Sequence, residues 1–265
     1  MSNYSQILKE TADELRLIDD VLFRLVASRK AVCQELLRTF LDDAGLKVES
    51  VTVQKNLPSL HRGVVLDALC TLSDGRISNI EVQKAGGNDD IRRTRFHAAA
   101  VTTNCTPKGT LFQDIPDVSI IYITEYDALN NHQAFTEIRR YQKIQGEILP
   151  VEDGERIYLA NTVVKDGSKY SELLSLFEER KIFFDSRFKE LSGAVQYYKN
   201  TEKGRDEVST TLAEFVEEQK EQGRLEGKLE GRIFTLYELG YTVSEIAEKV
   251  NQEEEKVFKI LDIEG

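Results

Sequence analysis

Proline, cysteine, long apolar runs and an excess of positive charge are all scarce in this sequence or missing from it. Four prolines in 265 residues argue against long disordered linkers. No stretch approaches the ~18 apolar residues that a membrane span requires. The longest apolar run, Val118 to Ile123, is interrupted by Ser119. The first residues, Met1 to Glu14, are polar and acidic and lack the charged-then-apolar order of a secretory leader, so none is expected. The three cysteines, Cys33, Cys70 and Cys105, are far apart in the chain, and no Cys-x-x-Cys pair occurs. The odd count and the spacing argue against a zinc site and against a disulfide framework. Each cysteine reads as a small buried apolar residue, in keeping with a reducing cytoplasm.

Lysine and arginine number 35 against 46 acidic residues, for a net charge of −11. A chain so acidic does not coat nucleic acid or an anionic membrane through bulk charge, although a nuclease with a local basic groove stays open. The charge is uneven along the chain. Residues 61–110 carry seven basic and five acidic side chains, the one net-positive window, and residues 216–265 carry seven and thirteen. The apolar fraction of 40%, with 12 Phe and 10 Tyr, can fill the core of one large domain or of one domain plus an appendage.

Apolar residues recur at helical spacing from Asp20 to Leu41, through Val21, Leu22, Leu25, Val26, Val32, Leu36, Leu37 and Phe40. Strand patterns follow at Val48–Val53, Val64–Leu72 and Arg76–Lys84, and Ser73-Asp74-Gly75 joins the last two in a hairpin. Residues 88–101 read as a helix opened by Asn88, Asp89 or Asp90, Val118–Thr124 as a strand buried on both faces, and Glu155–Val164 as a further strand. From Tyr170 onward the chain reads as mostly helical. The order of helix, three strands, helix and strand predicts an α/β unit around a central mixed sheet.

Asp67 breaks the apolar segment Val64–Leu69, and an unpaired carboxylate buried in such a strand costs several kcal/mol. On the next strand Asn79, Glu81 and Gln83 alternate to one face, and Ile80 and Val82 to the other. A hairpin closed at Ser73–Gly75 lets Asp67 face Glu81. Two converging carboxylates repel unless one is protonated or a cation lies between them, and oxygen ligands at an open site suit Mg²⁺ or Mn²⁺. The plainer alternative is an exposed hairpin face with unrelated charges.

Taken in order, Val64-Val65-Leu66-Asp67, the turn at Gly75, Asn79-Ile80-Glu81-Val82-Gln83 and Arg93-Thr94-Arg95-Phe96-His97 resemble the PD-(D/E)XK nuclease superfamily. They resemble most closely its branch of transposases and recombination-promoting nucleases, and Asp20-Val21-Leu22-Phe23-Arg24 is similar to that branch's Asp-x-x-Phe-Lys opening. The resemblance is good over residues 17–130 and loose beyond. It implies a PD-(D/E)XK-like central mixed sheet flanked by helices, with a helical C-terminal extension. It implies a divalent-metal-dependent DNA endonuclease, acting in recombination, mobile-element movement or phage defence. Asp67 and Glu81 would hold the Mg²⁺ or Mn²⁺ with the backbone carbonyl of Val82, and Asp67, Glu81 and Gln83 would form the catalytic set. Gln83 departs from the superfamily's Lys: an amide orients water but brings no charge. Arg93 and Arg95 would hold DNA phosphates, with salt bridges to Asp89, Asp90 or Glu81 as their alternative. Asp20 and His97 are accessory candidates. The alternative for Asp20 is an i,i+4 pair with Arg24, and for His97 a packed position under the sheet. His61 and His132 read as ordinary surface or loop residues. The rival function is a non-catalytic DNA-binding or assembly protein that keeps the nuclease fold.

Residues 222–233 repeat every four positions, as Gln222-Gly-Arg-Leu, Glu226-Gly-Lys-Leu and Glu230-Gly-Arg-Ile. On a helix this lines up Gly223, Gly227 and Gly231 in one stripe and Leu225, Leu229 and Ile233 in another. Each helical Gly costs about 1 kcal/mol against Ala, so a homodimer formed through this helix is expected, with a solvated linker as the alternative. Beyond it, Leu236 to Leu261 resembles a helix-turn-helix with a helix starting at Ser244-Glu245. The would-be recognition helix opens on Glu253-Glu254-Glu255, which repels phosphates, so a small structural or oligomerising tail is the stronger reading. The expected organisation is a nuclease-like domain with a helical extension over 1–215, a repeat helix over 216–235 and a helical tail over 236–265. The expected partners are DNA and a second copy of the chain, with no membrane and no small-molecule cofactor.

Overall fold

The computed structural model describes residues 3–58, 63–84 and 90–262. The chain divides into two compact units, Met1–Ser209 and Thr210–Gly265. In the first, helices α1 (Asn3–Glu14), α2 (Asp20–Ala27) and α3 (Lys30–Phe40) precede strands β1 (Val48–Leu57), β2 (Val64–Leu72) and β3 (Ile77–Gln83). Helix α4 (Asp90–Cys105) and strand β4 (Val118–Thr124) come next. The short strands β5 (Phe135–Ile138), β6 (Tyr141–Ile144) and β7 (Glu147–Pro150) and then β8 (Glu155–Asn161) follow. Helices α5 (Lys169–Ser175) and α6 (Lys189–Asn200) complete the unit, and α7 runs from Glu202 to Glu238.

Six strands form one sheet in the order β1-β2-β3-β4-β8-β5. β3, β4 and β8 are parallel neighbours, and the remaining pairings are antiparallel. This is the mixed α/β sheet that the sequence pattern predicts. β4 lies inside the sheet between β3 and β8, and all of its residues but Ser119 are buried. That burial accounts for its nearly unbroken apolar run. Ala98 and Val101 of α4 pack with Ile77, Ile120, Tyr122 and Leu159 of the strands. Helix α2 packs on β1, β2 and β3, and its Val21, Leu22 and Val26 are buried.

The single helix expected over Asp20–Leu41 is two helices. The chain leaves α2 at Ser28, and Arg29, in extended backbone, caps α3. The apolar spacing runs through the break because both helices bury one face, which hides the turn from periodicity. Strands β5, β6 and β7 did not show in the sequence pattern. β6 and β7 pair in a separate exposed hairpin whose turn, Gln145-Gly146, has positive φ at both residues, as a two-residue hairpin loop requires. Cys33 and Cys70 are free, buried and adjacent; the Cys33 thiol and burial together push the Cys70 thiol well above the usual range. Cys105 is half-buried.

In the second unit, Ile233 of α7 packs with Ile246, Ala247 and Val250 of α8 (Val243–Val250) and with Val257 and Leu261 of α9 (Glu254–Leu261). The start of α8 lies earlier than expected. Thr242 is its N-cap and Glu245 returns the bond to the Thr242 backbone, a complete capping box. Leu229 joins the same core while Leu225 stays exposed, so the leucine stripe is partly satisfied within the chain. The glycine stripe faces open space: a Cβ added at Gly223, Gly227 or Gly231 meets nothing within 4 Å.

Candidate active site

The site begins where the β2–β3 hairpin stops pairing. The last backbone partners away from the turn are Ala68 and Ile80, which puts Asp67 opposite Glu81 at the next position. There, side-chain carboxylates take the place of the backbone ladder. Asp67 donates its backbone N–H to Glu81 Oε1 at 3.3 Å, and Val82 donates its own to Asp67 Oδ2 at 2.9 Å. The N–H and C=O of one strand residue point to the same edge, so the Val82 carbonyl also turns toward Asp67.

Glu81 is buried, at 6% exposure, and Asp67 is half-buried. Asn79 donates to Glu81 Oε1 at 2.5 Å, and His97 Nδ1 lies 3.6 Å from the same oxygen. Burial, then the Glu81 charge, raise the Asp67 carboxyl well above the usual carboxylate range; the Val82 N–H opposes them and Asp20 adds to them. His97 Nδ1 and Asn79 Oδ1 are buried and make no hydrogen bond among the described residues.

Asp20, at the start of α2, reaches the same place through a residue that carried no signal in the sequence. Gln54 lies in β1 opposite Asp67, between the pairs Val53–Ala68 and Lys55–Leu66, with φ of +50°. Its Nε2 donates to Asp67 Oδ1 at 3.3 Å and to Asp20 Oδ1 at 3.4 Å. Asp20 Oδ2 accepts from Arg24 at 2.7 Å. Asp20 therefore makes the i,i+4 pair and also stands beside the hairpin carboxylates. The pairing register runs unbroken through Gln54, so its left-handed backbone is a local departure within the strand, and no side-chain pattern encodes it.

Arg93 and Arg95 point to different places. Arg93, half-buried, donates Nη1 to Gln83 Oε1 at 3.0 Å and to the Tyr122 hydroxyl at 3.5 Å. Arg95 is exposed. The buried Asp90 accepts from Tyr126 at 2.8 Å and Tyr122 at 3.3 Å. Asp89, the other alternative partner of the arginines, lies outside the described residues, as do Asn88 and His61. Burial raises the Tyr122 hydroxyl to about 12 and, with Asp90, lifts that of Tyr126 further. Both are neutral donors at any physiological pH. This Asp90–Tyr122–Tyr126 cluster has no legible sequence signal, because its members are 32 and 36 residues apart. His97 is buried on the sheet side of α4 and His132 is exposed in a loop.

The side chains present fit a hard divalent cation. Two carboxylates face each other at the point where the strands part, a backbone carbonyl turns to the same edge, and burial with the Glu81 charge raises the Asp67 carboxyl. Among the described residues no group of three or more His, Cys, Asp and Glu side chains gathers as a metal cage.

Residues 17–159 match the family model of PD-(D/E)XK nuclease family transposases. The match covers more than half of the chain, and its sheet, hairpin and helix are those described above. The chain belongs to the PD-(D/E)XK nuclease family transposases. No curated protein and no solved structure matches it. No described helix is long and apolar enough to cross a membrane.

Proposed function

We propose that this protein is a divalent-metal-dependent endonuclease that hydrolyses DNA phosphodiester bonds, in the cytoplasm, in recombination, mobile-element movement or phage defence. The observation that carries the reading is the facing pair Asp67 and Glu81 at the open end of the β2–β3 ladder. Asp67, Glu81 and the Val82 carbonyl would hold Mg²⁺ or Mn²⁺. Bound there, the ion supplies a water of lowered pKa and positive charge for the phosphate. The chain's own part is positioning. The Val82 N–H and the Gln54 amide fix the two Asp67 oxygens, Asn79 fixes Glu81, and Gln83 presents an amide beside them. Arg95, exposed on α4 within the net-positive window 61–110, would take a backbone phosphate. We further propose a homodimer paired through the open glycine stripe of α7.

A plasmid-cleavage assay with and without Mg²⁺ or Mn²⁺ tests the reading, beside melting of the protein with and without Mn²⁺. Metal-dependent nicking and a Mn²⁺-dependent rise in melting temperature are expected. The rival is a non-catalytic DNA-binding or assembly protein, which the neutral Gln83 favours. It predicts neither nicking nor a metal-dependent rise in melting temperature.

A further inference from the structure

Helix α4 lays its side chains over β3 in two steps. His97 stands over Glu81, and one turn earlier Arg93 stands over Gln83. Four helical residues rise about 6 Å and two strand residues about 6.6 Å, so the two spacings match along the site. Tyr122, the β4 register partner of Glu81, accepts from the same Arg93 nitrogen that reaches Gln83. The guanidinium is therefore held between the amide of Gln83 and the strand position level with Glu81. Two other cations near the site are held in ion pairs. Lys84 bonds Asp19 at 2.6 Å and Arg24 bonds Asp20 at 2.7 Å.

We propose that Arg93 is a catalytic residue that delivers from α4 the positive charge Gln83 lacks, and that Gln83 is the positioning residue that aims it. The inference rests on the nuclease reading above and assigns the cation of that same site. In the hydrolysis a water oxygen forms the new bond to phosphorus and the bond to the leaving sugar oxygen breaks. One proton of the water passes to that oxygen and the other to bulk solvent. Arg93 gives up no proton, since guanidinium stays charged throughout. It stabilises the charge that builds on the non-bridging phosphate oxygens, where a fixed donor is worth far more than at a solvated phosphate. The role separates Arg93 from Arg95: the inward residue acts on rate, the outward one on binding.

The test uses the full chain with a DNA duplex. Binding is measured without metal and single-turnover cleavage at saturating DNA in Mn²⁺. Arg93→Ala is expected to leave the Kd within about twofold while the saturating rate falls about 10²-fold. Added guanidinium should restore part of that rate, and Arg93→Lys, which keeps the charge, should stay much closer to wild type than Arg93→Ala. In Arg93→Ala, the additional change Gln83→Lys should recover cleavage by returning a cation to the strand. A wild-type saturating rate in Arg93→Ala with a weakened Kd would reduce Arg93 to a phosphate anchor and overturn the proposal. So would equal loss in Arg93→Lys and Arg93→Ala with no recovery by guanidinium or Gln83→Lys, which marks a structural role. Asp67→Asn separates the two levels. If it is inactive while Arg93→Ala keeps its saturating rate, this inference alone fails. If Asp67→Asn cleaves normally, or the wild type does not cleave, the nuclease reading fails and takes the inference with it.

Discussion

The Asp67 carboxylate accepts the backbone N–H of Val82 at 2.9 Å, a bond that an antiparallel neighbour's carbonyl would otherwise take. There a side chain takes the place of main chain at the end of the β2–β3 ladder, and Asp67 and Glu81 face each other. The interaction also explains how an acidic residue survives in the otherwise apolar run Val64–Leu69. One oxygen is satisfied by the strand beside it and the other by Gln54.

Gln54 should show an inverted preference between glycine and alanine. In ordinary strand backbone Gly is the weaker residue, but at φ of +50° an L side chain carries a penalty of about 1 kcal/mol. Gln54→Gly is therefore expected to be more stable than Gln54→Ala by about 1 kcal/mol in urea melts. Equal midpoints, or a more stable Ala variant, would remove the left-handed backbone at Gln54 from the account.

Arg95 is expected to govern DNA affinity. Arg95→Ala should weaken binding with little sequence preference and lower the slope of log K against log salt by about one phosphate's worth. Titration at several salt concentrations reads both quantities. An unchanged slope would take Arg95 out of the interface.

Asp166 gives a pH-dependent contribution of known sign. The Ser168 hydroxyl, then the Ser168 N–H, hold its carboxyl down to about 2, with the Ala134 N–H adding to them. The unfolded value is about 3.9. A depressed folded value stabilises the protein above the unfolded pKa, and the gain fades as the pH falls from about 4 toward 2. The group is exposed, so the effect is small. The urea midpoints of the wild type and Asp166→Ala should differ at pH 7 and draw together at pH 3. A gap that widens in acid would contradict the sign.

The open face along Gly223, Gly227 and Gly231 predicts self-association. Light scattering should give a dimer for the full chain and a monomer for a truncation ending at Val216. The same monomeric mass for both would end the pairing idea.

How far the sequence spoke depended on the kind of signal. β2 and β4 were legible to the residue because Val64–Leu72 alternates between buried and more exposed positions and Val118–Thr124 is buried nearly throughout. The facing of Asp67 and Glu81 followed from the hairpin turn, since the alternation of strands fixes register once the turn is known. The helix break at Ser28–Arg29 and the exposed hairpin over 141–150 escaped because neither changes the apolar periodicity. Gln54 escaped for a deeper reason: left-handed backbone within a strand is a main-chain event, and Gln is not a residue that announces positive φ. Arg93 and Arg95 looked equivalent in sequence. Only the phase of α4, with Asp90, Thr94, His97 and Val101 buried, turns Arg93 toward the sheet and Arg95 to solvent.

The central claim is that Asp67 and Glu81 form the centre of a hydrolytic site, and single-turnover DNA cleavage in Mn²⁺ by Asp67→Asn and Glu81→Gln tests it most directly, read beside denaturant melts without metal. The two facing carboxylates repel, and burial and Glu81 already push Asp67 toward its neutral form. Neutralising either should therefore abolish cleavage while leaving metal-free stability equal or slightly higher. Full cleavage by both variants would contradict the account, as would a large loss of metal-free stability in both, the mark of carboxylates held by structural ion pairs.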